Sequence, residues 1–188
     1  MILRPKRCPA RFAFLLEHPL RQHLLGLSRV LDTLPLRPGM RILDLGAGSG
    51  VVAGAVRKRV DSGQLVLVDA QLSMLHRARQ RFTRSGTSRS QLVVAVAEGL
   101  PFAAEVFDLV LLVTVLGEVD DAGMVLREVR RALKPGGVLS VSEHLPDPDF
   151  RSPDKVRERI ASVGFVESEM RGGRWSYTIN FTKPSVAA

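Results

Sequence analysis

The stretch from Arg41 to Gly50, RILDLGAGSG, constrains this chain more than any other. Ile42, Leu43 and Leu45 form a short apolar run broken by Asp44, after which Gly46, Gly48 and Gly50 alternate with Ala47 and Ser49. Val51, Val52, Ala55, Val56 and Val60 then recur at helical spacing. An apolar run, a glycine cluster and a helical period in succession specify a buried strand, a tight turn and a helix. Glycine permits positive φ in such a turn and lets a ligand approach the bare backbone. The helix start offers N–H groups that have no intrahelical partner. The spacing is G-x-G-x-G, and Val51 stands where the dinucleotide fingerprint needs glycine or alanine. Asp44 lies inside the strand end, where a carboxylate needs donors or a cation. A ligand ammonium or the N–H groups of the turn would supply them.

A chain of 188 residues is long enough for one domain with a full core. The single cysteine, Cys8, excludes an internal disulfide and a cysteine-based metal cluster. His18, His23 and His76 fall on helix surfaces without metal-ligand spacing, so no metal site is expected. The start, MILRPKRCPA, has charge but lacks the apolar stretch of a secretory signal. No apolar run has the length of a membrane span, and the expected location is the cytoplasm. The formal net charge of +8 suits a nucleic acid, an anionic surface, an acidic substrate or simply a solvated basic face. The cluster Arg77, Arg79, Arg81, Arg84 and Arg89 contains only Phe82 as an aromatic, short of the platforms on which single-stranded bases stack.

Arg11 to Leu34 carries Leu20, Leu24, Leu27, Leu31 and Leu34 at helical spacing, interrupted by Pro19, and predicts one or two amphipathic helices. After the first strand and helix, strands are expected at Leu65–Val68, Leu92–Val96, Phe107–Leu112 and Val138–Val141. Helix faces intervene at Leu72–Phe82 and Ala122–Leu133, the second ended by Pro135-Gly136-Gly137. Val156, Ile160 and Val163 predict a helix capped by Gly164. Two closing strands follow, Phe165–Met170 and Trp175–Phe181, joined by a hairpin at Arg171-Gly172-Gly173-Arg174. This alternation predicts an open α/β sheet with helices on both faces and an antiparallel pair at the end.

Ligands of such sheets bind outside the carboxyl ends of the strands, near the point where the strand order reverses. That gathers the glycine turn, Asp69, the segment Val96–Pro101 and the residues after the fourth strand. Asp69, 19 residues past Gly50 at the end of the second strand, can accept from both hydroxyls of a ribose, or cap the helix that follows. Adenine would then lie between Ala70 and the third-strand loop, its edge met by backbone groups of Ala97 and Glu98.

The series DLGAGSG, LVLVDAQLSMLHRAR, AEGLPF, FDLVLLVTVLGEV and LREVRRALKPGGVLSVSE closely resembles the class I S-adenosylmethionine-dependent methyltransferases. Within them it is most similar to the methyltransferase type 11 group, which includes the ubiquinone and menaquinone C-methyltransferases. The resemblance spans Pro35 to Pro184 and implies a Rossmann-like seven-stranded mixed sheet with an antiparallel last strand. It divides the chain into a helical arm or lid at 1–34 and a cofactor-binding domain at 35–188. It implies that Asp44 and Gly46 hold the methionine ammonium region and that Ala47 joins them in the turn. Gly48 and Gly50 would leave room for the cofactor, Asp69 would take the ribose, and Ala70 and Met74 would pack near the adenine. Ala97 and Glu98 would line its far side, and Thr114 would face the methionine end or the transferred methyl.

Relatives often read G-D-A-E-x-L-P-F before the fourth strand, with the aspartate on the adenine amino group; here Ala95 and Val96 replace the first two residues. Adenine recognition must then rest on backbone and packing. Methyl transfer from a sulfonium is an in-line displacement in which alignment does most of the work. A base is needed only where the acceptor loses a proton, and Glu118 and His144, after strands four and five, are the candidates. Val113-Thr114-Val115-Leu116 lacks the Asn/Asp-Pro-Pro-aromatic motif of amino-methylating nucleic-acid enzymes, and Cys8 is remote from the cofactor. The expected reaction is methylation of a small molecule, giving S-adenosylhomocysteine as product, with a homodimer as one way to complete the acceptor pocket. A non-catalytic module of the same fold and a methyltransferase acting on RNA are the alternatives.

Overall fold

Strand β1, Arg41–Leu45, is buried along all but its first residue, which only a strand covered on both faces can be. A computed structural model describes residues 27–60, 63–85, 90–145 and 147–185. The expected first helical stretch falls mostly outside these residues; its end is α1, Leu27–Thr33. After β1 come α2, Val51–Arg59, β2, Gln64–Asp69, α3, Leu72–Arg84, and β3, Ser90–Val94. Then β4, Phe107–Val113, α4, Ala122–Ala132, β5, Leu133–His144, α5, Pro153–Ala161, β6, Val166–Gly173, and β7, Ser176–Thr182, complete the chain.

The strands form one seven-stranded sheet in the order β3-β2-β1-β4-β5-β7-β6. All pairs are parallel except those of β7, which runs antiparallel to both β5 and β6. The expected mixed sheet with an antiparallel last strand is therefore the observed one. Its order reverses between β1 and β4, which opens a crevice at their carboxyl ends.

Side chains leave the sheet with period two and sort into two cores. Leu43, Leu45, Val66, Val68, Val110 and Leu112 face α4 and α5, with Val125, Leu126, Val156 and Ile160 packed on them. Ile42, Leu65, Leu67, Leu109 and Leu111 face the other way, onto Ala53 and Val56 of α2 and Leu75, Ala78 and Phe82 of α3.

Several boundaries differ from the sequence expectation, three of them with a structural consequence. β3 ends at Val94 rather than Val96: β2, its one neighbour in the sheet, ends at Asp69 opposite Val94, and the last rung is Ala95 N–H donating to Asp69 O at 3.3 Å. Pro135-Gly136-Gly137 does not precede β5 but lies within it as a bulge, the register stepping from Phe107 opposite Leu133 to Leu109 opposite Val138. The closing hairpin turns at Arg174-Trp175, since Gly173 pairs with Ser176. Trp175 is consequently 57% exposed, with the Arg174 guanidinium 4.4 Å above its ring, rather than in the buried row of Tyr177, Ile179 and Phe181.

Candidate functional site

The glycine turn is held between β2 and α3. Gly46 N–H and Ala47 N–H both donate to Val68 O, at 2.8 and 3.0 Å. Gly48 N–H donates to Asp69 Oδ2 at 2.9 Å, while Gln71 N–H donates to Asp69 Oδ1 at 2.8 Å. Asp69 thus closes the turn and starts α3, and among the described residues these two bonds leave two of a carboxylate's four lone-pair positions open. Gly46, Gly48 and Gly50 all take positive φ.

A cavity of roughly 360 Å³ opens above this turn, in the size range of small-molecule sites. Of the residues singled out from sequence, Gly46, Gly48, Asp69, Ala70, Met74, Ala97, Glu98, Thr114 and Glu118 line it. A Cβ at Gly48 would meet no atom within 4 Å, so that backbone lies bare to the cavity. Thr114 holds φ 55°, uncommon for a β-branched residue, with its N–H on Ser142 O at 2.9 Å. Backbone held in this region is characteristic of sites that fix a ligand.

Four of the expected residues lie elsewhere. Gly50 is the N-cap of α2, and a Cβ there would press on Ala78 at 3.0 Å and Phe82 at 3.2 Å, so it makes room for α3. Ala47 packs against the α2–α3 core. Asp44 points under α2, on the same face as Ile42, and accepts the Ala53 N–H that the side-chain-less cap Gly50 leaves unserved. Burial pushes its carboxyl up to about 7, the Ala53 bond opposing this and the Asp69 charge adding to it. Its Oδ2 meets no partner among the described residues. His144 is buried at the end of β5, outside the cavity lining.

The structure adds two acids that the sequence did not single out. Asp120 joins Glu118 in the lining, both on the segment that leaves β4. Glu143 is buried on β5, on the face of Val141 and opposite Tyr177, and its carboxyl is pushed up to about 8. Burial is the main cause, with Asp147 next, while the Arg151 backbone N–H and charge oppose it and Glu118 adds to it. Strand parity with the apolar Val141 was the available signal for Glu143. The loop carrying Ala95–Glu98 is clamped from α4: Arg131 donates to Phe102 O at 2.7 Å and Leu100 O at 3.1 Å and pairs with Glu128 at 2.8 Å.

Among the described residues the lining contains Asp69, Glu98, Glu118 and Asp120 but no lysine, arginine or histidine, in a chain of net charge +8. A cation is the ligand this wall favours. The bare Gly48 backbone, the open lone pairs of Asp69 and the acidic wall fit the adenosine and the cationic methionine end of S-adenosylmethionine.

Fold and crevice define an α/β protein of the nucleoside-cofactor-binding kind. The model of the methyltransferase domain family matches residues 43–141, more than half of the chain, and the chain belongs to that family of S-adenosylmethionine-dependent methyltransferases. It is 37% identical over 131 residues to the ubiquinone/menaquinone biosynthesis C-methyltransferase UbiE of Vibrio campbellii, covering 67% of this chain and 51% of that protein. To the UbiE of Bordetella avium it is 42% identical over 124 residues, covering 63% and 48%. The chain thus spans about half the length of the curated relatives it matches. A SAM dependent methyltransferase from Aquifex aeolicus shares its fold with a TM-score of 0.86 at 19% identity, over 94% of this chain and all of that one. Among the described residues no helix is long and apolar enough to cross a membrane.

Proposed function

We propose that this chain moves a methyl group from S-adenosylmethionine to a small-molecule acceptor. The observation that carries this is that, among the described residues, every charged side chain in the cavity wall is acidic, in a basic chain. Such a wall repels the pyrophosphate of a dinucleotide and the backbone of a nucleic acid, and attracts a sulfonium bearing an ammonium group.

S-adenosylmethionine, when bound, supplies a methyl on a positively charged sulfur that keeps the electron pair of the broken bond. Asp69 would accept the ribose hydroxyls on its open lone pairs. Ala70, Met74 and Val96 would enclose the adenine, with backbone of Ala97 and Glu98 along its edge. Gly46, Gly48 and Thr114 would shape the methionine end, and Glu118 and Asp120 would balance its charge. Asp44 would act indirectly, by holding the start of α2 beneath the turn. For an acceptor that must lose a proton, Glu118 is the base within the cavity, and His144 is a less direct candidate. Leu45, Val68, Val113 and Val115 line the cavity with apolar surface and would limit water around the transferred methyl. The UbiE-like relatives support a carbon acceptor, and a cytoplasmic location and a homodimer remain part of this proposal.

Calorimetric titration with S-adenosylmethionine, S-adenosylhomocysteine and NAD tests it. Binding of both adenosyl ligands without NAD binding is expected. Failure of both adenosyl ligands to bind would overturn the proposal.

A further inference from the structure

Val119 and Asp120 border two hollows: the acidic cavity and a second groove of roughly 720 Å³ between the start of α4 and α5. The sign of charge changes across that border. Lys155 and Arg159, one turn apart on the same side of α5, and Arg151, which lies just before that helix, together line the groove. Its carboxylates are Asp120, on the shared border, and Glu158. The ion pairs of α5 belong to Arg157, which bonds Asp154 and Glu167 instead. Lys155 and Arg159 are exposed and pair with none of the described residues. Arg151 reaches Gly117 O at 3.4 Å, and its charge faces Glu143. Leu116 and Val156 give the groove an apolar wall as well.

We propose that this groove holds the methyl acceptor, and that the acceptor carries an anionic group, a phosphate or carboxylate, seated on Lys155 and Arg159. This assignment rests on the methyltransferase reading above. A cationic cofactor in the first hollow and an anionic acceptor in the second would each meet complementary charge, side by side across Val119 and Asp120. An anion arriving at Lys155 and Arg159 displaces no carboxylate, and a guanidinium grips phosphate or carboxylate through two parallel N–H bonds. The apolar wall suits the carbon body between the anionic group and the methylated atom.

The nitrogen-15-labelled 188-residue chain titrated with inorganic phosphate, and separately with acetate, tests the assignment by backbone amide shifts. Saturable shifts are expected at Gly123 and along Lys155–Ser162. They should weaken about tenfold in the K155Q/R159Q double variant and persist in R79Q/R84Q, which removes exposed arginines of α3. Tighter phosphate binding would identify a phosphorylated acceptor; equal or tighter acetate binding would identify a carboxylate. Unsaturable shifts, equal shifts along α3, or undiminished binding in K155Q/R159Q would overturn the groove assignment. S-adenosylhomocysteine is titrated into the same samples. If it fails to bind wild type while phosphate or acetate saturates the groove, the methyltransferase reading and the acceptor role fall together. If it binds wild type and K155Q/R159Q alike while neither anion binds, only the groove assignment falls.

Discussion

The Asp69 carboxylate accepts the backbone N–H of Gly48 at 2.9 Å, tying the end of β2 to the middle of the glycine turn 21 residues away. With the Gln71 N–H on its other oxygen, one side chain shapes both sides of the crevice. Asp69→Ala removes two hydrogen bonds to a charged acceptor, each worth about 1.5–3 kcal/mol at most in net terms. Because the site is partly exposed, a stability loss of about 1–2 kcal/mol is expected in urea unfolding. Calorimetry should show S-adenosylhomocysteine affinity falling by more than the stability loss explains.

Gly48 and Gly50 have the same backbone hand but different surroundings. Gly48→Ala puts a methyl group into the open cavity, so adenosyl-ligand binding should fall sharply, with about 1–2 kcal/mol of backbone strain. Gly50→Ala instead presses on Ala78 and Phe82, costing about 1–3 kcal/mol of packing in addition to that strain. Paired calorimetry and thermal melts should show G48A as mainly a binding lesion and G50A as mainly a stability lesion.

Burial holds the Glu143 carboxyl at about 8 against an ordinary 4.5. The folded state therefore binds this proton more tightly than the unfolded chain. Its contribution favours folding fully below about 4.5, fades as pH rises toward 8, and is flat above that. Glu143→Gln removes the titration. Thermal melts from pH 5 to pH 9 should show the variant gaining on wild type as pH rises, by up to a few kcal/mol. A constant difference across that range would contradict this account.

Arg131 fastens the loop that supplies Ala95–Glu98 through the carbonyls of Leu100 and Phe102 and through Glu128, which also accepts Leu100 N–H at 2.9 Å. Arg131→Lys keeps the charge and loses the planar fork. The variant should be about 1–2 kcal/mol less stable, since at least one carbonyl loses its donor. Hydrogen exchange should accelerate at Leu100 and its neighbours, and adenosyl-ligand affinity should weaken several-fold.

The sequence by itself determined the element order, the G-x-G-x-G turn between β1 and α2, the acid at the end of β2 and the family, because these depend on periodicity and spacing along one stretch of chain. Gly46, Gly48 and Asp69 were legible for that reason. Only the tertiary structure decided which side of each element faces the cavity. Asp44 and Gly50 lie within the motif but serve the α2 start and the α3 contact, since strand parity puts Asp44 with Ile42, and α3 packs against the N-cap. His144 is drawn into the sheet by its pairing with Ser176, while Asp120 reaches the cavity from the chain leaving β4. The division of charge between an acidic cavity and a basic groove was equally illegible, because it joins α5 to the β4–α4 segment on one face of the sheet. Local pattern fixes what a residue can form; long-range packing fixes what it faces.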